Sequence, residues 1–258
     1  MSEAPLVGKT IVITRPKEQA GHLAELIRQA GGEAVLFPLI EIQDPTDSQT
    51  LDERIDRLND YDLAVFVSPT AVTRGIARIT RRHTLPPTLQ IAAIGQGSAR
   101  ELRRLGVAEV LVPEHRFDSA ALLSLPEMQQ MTGKRVVIFR GEGGRELLAD
   151  TLRMRGATVD YAECYRRARP TLPATDLVKR ALETEIHGLV ITSSESLRNL
   201  LEMVGESGNA WLRTTPIFVP HPNIQLAGRD AGLSLVIVLE GGDEALLRGI
   251  ITFLAKSI

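Results

Sequence analysis

Short apolar runs recur along the chain, each closed by a polar turn and followed by a stretch with apolar residues at helical spacing. Ile11–Ile13, Leu63–Val67, Ile91–Ile94, Val136–Phe139, Leu189–Thr192, Ile217–Val219 and Leu235–Leu239 read as strands. Helices are expected over Gln19–Ala30, Ala71–Ile79, Ser98–Leu105, Gly144–Arg155, Ser196–Val204 and Gln225–Ala231. The strands are apolar throughout rather than alternating, as strands buried on both faces must be. Strands of that kind, alternating with helices, predict parallel sheets covered on both sides.

The pattern also repeats. Gly8-Lys9 matches Gly133-Lys134, a shift of 133 − 8 = 125 positions. At that shift Val12-Ile13 meets Val137-Ile138, Arg15 meets Arg140, Leu23-Ala24 meets Leu148-Ala149, and Gly31 meets Gly156. Farther on, Ser68 meets Ser193 and Asp118 meets Asp243. Matches held along so much of the chain indicate duplication, and 258 residues are comfortable for two domains of ordinary size. No Pro/Gly/Ser-rich linker separates the halves. The candidate crossings are 37–42 and 163–167, which could pair as a two-stranded connector and act as a hinge. Ligands of open parallel sheets sit at the carboxyl ends of the strands, so two copies provide two such rims with a cleft between domains as the expected site.

Composition narrows the partners. Aromatics are 4% of residues and the net charge is −2, which gives neither a stacking surface nor an electrostatic footprint for nucleic acid. The single cysteine, Cys164, allows no internal disulfide and suits a reducing compartment. Neither a signal-peptide pattern at Met1–Val7 nor an apolar run long enough for a bilayer is found, so a cytoplasmic protein free of the membrane is expected.

Familiar cofactor motifs fail on single residues. Gly141-Glu142-Gly143-Gly144 follows a strand, but Glu146 stands where the dinucleotide fingerprint needs its third glycine. Gly95-Gln96-Gly97 has Arg100 at that position, and Gly8-Lys9-Thr10 precedes its strand and lacks the first phosphate-loop glycine. The five histidines show no metal-ligand spacing, and no nucleophile elbow is present. No cofactor and no metal are expected.

What remains is a set of polar turns at strand ends. Thr14-Arg15-Pro16, Ser68-Pro69-Thr70, Gly95-Gln96-Gly97-Ser98, Arg140-Gly141-Glu142-Gly143, Thr192-Ser193-Ser194 and Pro220-His221-Pro222-Asn223 each precede a predicted helix. Such side chains often serve only as helix caps. A helix N-terminus nevertheless carries about half a positive charge and binds carboxylates. Thr14, Arg15, Ser68, Thr70, Gln96, Gly97, Ser98, Arg140, Gly141, Ser193, Ser194 and Asn223 are therefore the candidate anion-binding residues. Arg15 and Arg140 are either charge-assisted ligands or surface arginines paired to a neighbouring acid.

Tyr61-Asp62 to Ser68-Pro69-Thr70-Ala71-Val72, Ile94-Gly95-Gln96-Gly97-Ser98-Ala99, Val136 to Arg140-Gly141 with Arg145-Glu146-Leu147-Leu148, and Tyr165 occur in the order found in one enzyme family. From about Gly8 to Arg248 the chain resembles the uroporphyrinogen-III synthases. The resemblance implies two flavodoxin-like parallel-sheet domains joined by a two-stranded connector. It makes the first domain discontinuous, residues 1–38 with 166–258, and the second residues 39–165. It implies a cofactor-free enzyme, expected as a monomer, whose substrate is hydroxymethylbilane, a linear tetrapyrrole with eight carboxylates. Water is lost and the macrocycle closes with the last pyrrole inverted, through a spiro intermediate. Tyr165 matches the family tyrosine held to assist departure of the hydroxyl; phenols titrate near about 10 and so carry a proton to donate at neutral pH. Packing of the hinge is the other role open to it. Ser98 matches a turn hydroxyl of the family, whereas its counterpart Asn223 stands where other members carry threonine. The competing reading is a two-domain cytosolic binding protein for a small carboxylic acid; a phosphate-transferring enzyme would need a phosphate loop.

Overall fold

The computed structural model describes residues 4–183 and 185–255. In chain order the elements begin with β1 (Thr10–Ile13), α1 (Lys17–Gln29), β2 (Glu33–Leu36), β3 (Glu41–Gln43), α2 (Ser48–Asp56), β4 (Leu63–Phe66), α3 (Pro69–Thr80), β5 (Gln90–Ala93), α4 (Gln96–Arg104) and α5 (Ser119–Leu123). They continue with β6 (Arg135–Gly141), α6 (Leu147–Met154), β7 (Thr158–Ala168), α7 (Thr175–Leu182), β8 (Gly188–Val190), α8 (Ser194–Leu212), β9 (Ile217–Val219), α9 (Pro222–Asp230), β10 (Val236–Val238) and α10 (Asp243–Ala255). These elements form two compact units. Unit 1 comprises the described residues up to Glu41 and those from Ala168 onward, and unit 2 runs from Ile42 to Arg167. No described helix is long and apolar enough to cross a membrane.

Unit 1 holds a sheet in the order β10-β9-β8-β1-β2. Neighbours pair in parallel throughout. Both faces are covered, and the period-2 alternation of a strand sorts its side chains between them. Val12 packs with Leu189, Ile191 and Ile217 on one face, while Ile11 and Ile13 pack with Leu23, Ile27 and Ile250 on the other. Unit 2 has the order β3-β7-β6-β4-β5, with Phe66 and Phe139 on one face and Leu63, Val65 and Ile138 on the other.

The 125-residue shift is visible in three dimensions. It carries β1 onto β6, β2 onto β7, β8 onto β4 and β9 onto β5. It also carries β10 onto the segment at Leu111, which makes a lone parallel bridge to Ala92 at the same edge of the second sheet. Each sheet therefore follows the doubly wound flavodoxin-like order, in which the helices after two neighbouring strands, β1 and β8 or β6 and β4, cover opposite faces and leave a crevice at the strands' carboxyl ends.

Several element boundaries differ from the sequence expectation for local reasons. The helix expected from Gly144 begins only at Leu147, because Gly143 and Gly144 both take positive φ, +70° and +107°, which no helix contains. The helix expected to end at Val204 breaks there, at Gly205 with φ 60°, but resumes to Leu212. The helix expected from Gln225 starts at Pro222, so Asn223 lies inside its first turn rather than before it, and His221 is the cap. The region 163–167, read as a crossing, is the end of an eleven-residue strand, β7, with β3 beside it.

Candidate active site

In unit 2 the carboxyl ends of β4, β5 and β6 open into a cavity of about 270 Å³. Val67 and Ile94 form its floor where strands end, the loop Gly141–Arg145 forms one wall, and Tyr161 and Tyr165 enter from β7. This is the crevice that the sheet order dictates.

A bulge aims Tyr165. β7 pairs in register with β6 from Thr158 to Glu163, and then Gly141 faces Tyr165, leaving Cys164 as the extra residue. Adjacent strand residues ordinarily point to opposite faces; across a bulge they need not. Cys164 and Tyr165 accordingly both join the core cluster containing Phe66 and Phe139. The Tyr165 ring lies on Gly141, whose missing Cβ would stand 2.7 Å from two ring carbons. Its hydroxyl is 3.2 Å from Ser68 Oγ. Ser68 in turn caps α3, accepting the Ala71 amide at 3.0 Å. The phenol is thus joined through one hydroxyl to the positive end of a helix.

Cys164 itself is buried, and burial pushes its thiol up to about 12. The thiolate is the reactive form. Native protein is therefore expected to leave Cys164 unmodified by Ellman's reagent at pH 8, with one equivalent reacting once guanidinium is added; prompt reaction of native protein would contradict the buried bulge.

Arg140, at the end of β6, is buried yet does not point freely into the cavity. Its Nη1 donates to Glu146 Oε1 at 3.1 Å, its Nε to the Gly141 carbonyl at 3.3 Å, and its Nη2 to the Gly143 carbonyl. The guanidinium carbon lies 4.6 Å from the centre of the Tyr161 ring, and the Tyr161 hydroxyl donates to Glu146. That hydroxyl first, and Arg140 second, hold the Glu146 carboxyl below the usual carboxylate range.

The other turns divide between capping and exposure. Gly95 precedes α4 and offers no side chain to cap it, so the amides at Gln96 and Gly97 begin that helix without a side-chain cap. Gln96 Nε2 reaches the Pro113 carbonyl at 3.3 Å, Gly97 is exposed and Ser98 is buried. Thr70 sits half-buried in the first turn of α3. In unit 1, Thr14 is fully buried, its hydroxyl donating to the Val190 carbonyl at 2.8 Å across β1 and β8. Arg15 pairs with Asp243 at the start of α10, the paired-arginine alternative open at the sequence level. Ser193 caps α8 through the Ser196 amide at 3.0 Å, with Ser194 beginning the helix; Asn223 is exposed and donates its amide to His221 Nδ1 at 3.2 Å. The structure thus gathers Ser68, Arg140, Gly141 and Tyr165 in one place within unit 2, while Thr14, Arg15, Ser193, Ser194 and Asn223 belong to unit 1.

Glu146 and Tyr161 were not legible as site residues. In the sequence Glu146 spoils a glycine fingerprint and falls within the family-like run Arg145-Glu146-Leu147-Leu148, with no role attached to it, and Tyr161 gains meaning only once residues 158–168 are read as a strand beside β6.

The family model described as "Uroporphyrinogen-III synthase HemD" matches residues 21–245. A uroporphyrinogen-III synthase of Salmonella typhimurium is 34% identical over 244 residues, covering 93% of this chain and 99% of the relative. That of Escherichia coli is 32% identical with the same coverage. Among solved structures, a mutant uroporphyrinogen III synthase from Thermus thermophilus superposes with a TM-score of 0.63 at 18% identity, over 96% of this chain and 99% of that one. This last likeness bears on the fold alone.

Proposed function

The chain belongs to the uroporphyrinogen-III synthase family, a family of lyases, and from that premise we propose that it closes hydroxymethylbilane to uroporphyrinogen III. The observation that carries the chemical reading is the pairing of Tyr165 with Ser68 at the rim of a crevice. In the reaction the C–O bond of the hydroxymethyl group breaks and the oxygen leaves as water, taking a proton from the Tyr165 phenol. The electron-rich pyrrole system supplies the electrons for that departure. Negative charge developing on the phenol oxygen is met by the Ser68 hydroxyl and, behind it, the N-terminus of α3. The carbon so activated is attacked by the substituted α-carbon of the last pyrrole, giving the spiro intermediate. The bond from that α-carbon to its original methylene bridge then breaks, and the pyrrole's free α-carbon attacks the released bridge carbon. The proton lost there as the ring regains aromaticity balances the one donated.

The substrate's carboxylates need cationic or amide partners. Arg145 and Arg167 line the cavity, and the amides at the start of α4 lack a side-chain cap. Ser68, Thr70, Gln96, Gly97 and Ser98 are taken as the binding turns of unit 2, with Arg15, Ser193, Ser194 and Asn223 as those of unit 1. Thr14, buried with both its hydroxyl and its amide on the Val190 carbonyl, joins β1 to β8 instead. One chain carries both sets, so the reading takes a cytoplasmic monomer acting without a cofactor. Hydroxymethylbilane closes unaided to the uninverted isomer, so the protein's work is mainly to hold a folded conformation and direct the attack.

Tyr165→Phe keeps the ring on Gly141 and removes only the phenol oxygen. With hydroxymethylbilane generated in place, its kcat for type III product is expected to fall about a hundredfold while thermal stability is kept. Wild-type kcat in that variant would remove Tyr165 as the acid.

A further inference from the structure

The wall of the unit 2 cavity is a glycine-rich segment held largely by one side chain. Gly141 to Arg145 contains two successive glycines at positive φ, and such a backbone has many conformations open to it. Arg140 supplies most of its side-chain contacts. The guanidinium binds the carbonyls of Gly141 and Gly143, and the backbone at Gly144 passes so close that a Cβ there would stand 2.8 Å from Nη2. The loop is therefore wrapped around the guanidinium.

Arg140 is in turn fixed from two sides. Glu146 takes Nη1 on one carboxylate oxygen and the Tyr161 hydroxyl on the other, while the Tyr161 ring lies against the guanidinium. Three further contacts tie down the near part of the loop. The Glu142 amide donates to the Tyr165 carbonyl at 2.8 Å, the Glu142 carboxylate accepts from Thr46, and the Gly143 amide donates to Glu163 Oε1 at 3.4 Å, a long bond. With its donors directed at the loop and at Glu146, Arg140 is poorly placed to clamp a substrate carboxylate.

We infer that Arg140, held by Glu146 and Tyr161, is a positioning residue that fixes the Gly141–Arg145 wall and so governs substrate grip and isomer fidelity. This deepens the reading above and rests on it for the substrate. A loosened wall holds the folded bilane less firmly, and bilane that escapes closes spontaneously to the type I isomer.

The test uses Tyr161→Phe, which keeps the ring and loses the bond to Glu146, and Glu146→Gln, which keeps the shape and loses the charge. Both are expected to raise KM about three- to tenfold with kcat within about twofold of wild type, and to raise the type I fraction. Tyr161→Leu, lacking the ring as well, should be worse than Tyr161→Phe. Amide hydrogen exchange over Gly143–Arg145 should quicken in each variant while the β6 core stays protected, and this readout needs no substrate. Wild-type KM together with unchanged exchange would overturn the inference. Wild-type protein that makes no type III product would sink the function instead, leaving exchange alone to decide the positioning role: faster exchange supports it, and unchanged exchange overturns it.

Discussion

Gly141→Ala is expected to lower synthase activity by about a hundredfold, a large loss for the addition of one methyl group. The new Cβ would stand 2.7 Å from Cε2 and Cζ of Tyr165 and 3.1 Å from its hydroxyl oxygen. Carbon atoms in contact prefer about 3.5–4.0 Å, so the ring or the strand must yield by most of an ångström. Tyr165 is only 3% exposed and lies within a core cluster, so little room exists for a retreat. Either movement draws the phenol away from Ser68, and misplacement on this scale is enough to cost two orders of magnitude in rate. Overpacking should also destabilise unit 2 by about 1–3 kcal/mol. Gly21→Ala in α1 makes the contrast, since its Cβ would meet nothing within 4 Å. Steady-state rates and melting curves of the two variants check this; a fully active Gly141→Ala would contradict the packing of Tyr165.

Phe139→Ala is expected to be the most destabilising single truncation in unit 2. Phe139 is fully buried in β6 and stacks on Phe66 of the neighbouring β4, ring centres 4.6 Å apart and planes 9° apart. Gly75 of α3 leaves the space that the pair fills, for a Cβ there would lie 2.9 Å from Phe139. Truncation removes the transfer free energy of the ring and leaves a cavity, together about 3–5 kcal/mol. Against a stability of about 5–15 kcal/mol for a domain, this is enough to lower the melting temperature of unit 2 markedly. Calorimetry should show a low-temperature transition for unit 2 with unit 1 melting near its wild-type temperature. A small uniform shift would show that the stacked pair matters less than its burial suggests.

The fold was largely legible because both its signals are simple. Strands buried on both faces show as continuous apolar runs, and a duplicated unit shows as a fixed shift; Val12-Ile13 and Val137-Ile138 carry both. The elements harder to read lack the continuous apolar run and show only through the repeat. β2 is partly exposed, α10 follows Gly241-Gly242 with no capping side chain, and β7 mixes Thr158, Asp160 and Glu163 among its apolar residues. The site was legible in part. Strand-end position singled out Ser68, Arg140 and Gly141, while Tyr165 came from family resemblance. What could not be read was orientation. The bulge at Cys164 decides which way Tyr165 points, and the pairing of Arg140 with Glu146 and Tyr161 depends on β6 and β7 being neighbours. In unit 1, Arg15 and Asp243 are 228 positions apart and meet only because α1 and α10 cover the same face.

A chain that directs closure of the bilane with inversion of its last ring leaves its mark on the product. The most direct measurement is the isomer composition of the product. Hydroxymethylbilane is generated in place, protein is added over a range of concentrations, and the oxidised porphyrins are separated. Type III product is expected to rise with protein at the expense of type I, towards nearly complete type III. Type I product alone, formed at the spontaneous rate whatever the amount of protein, would contradict it.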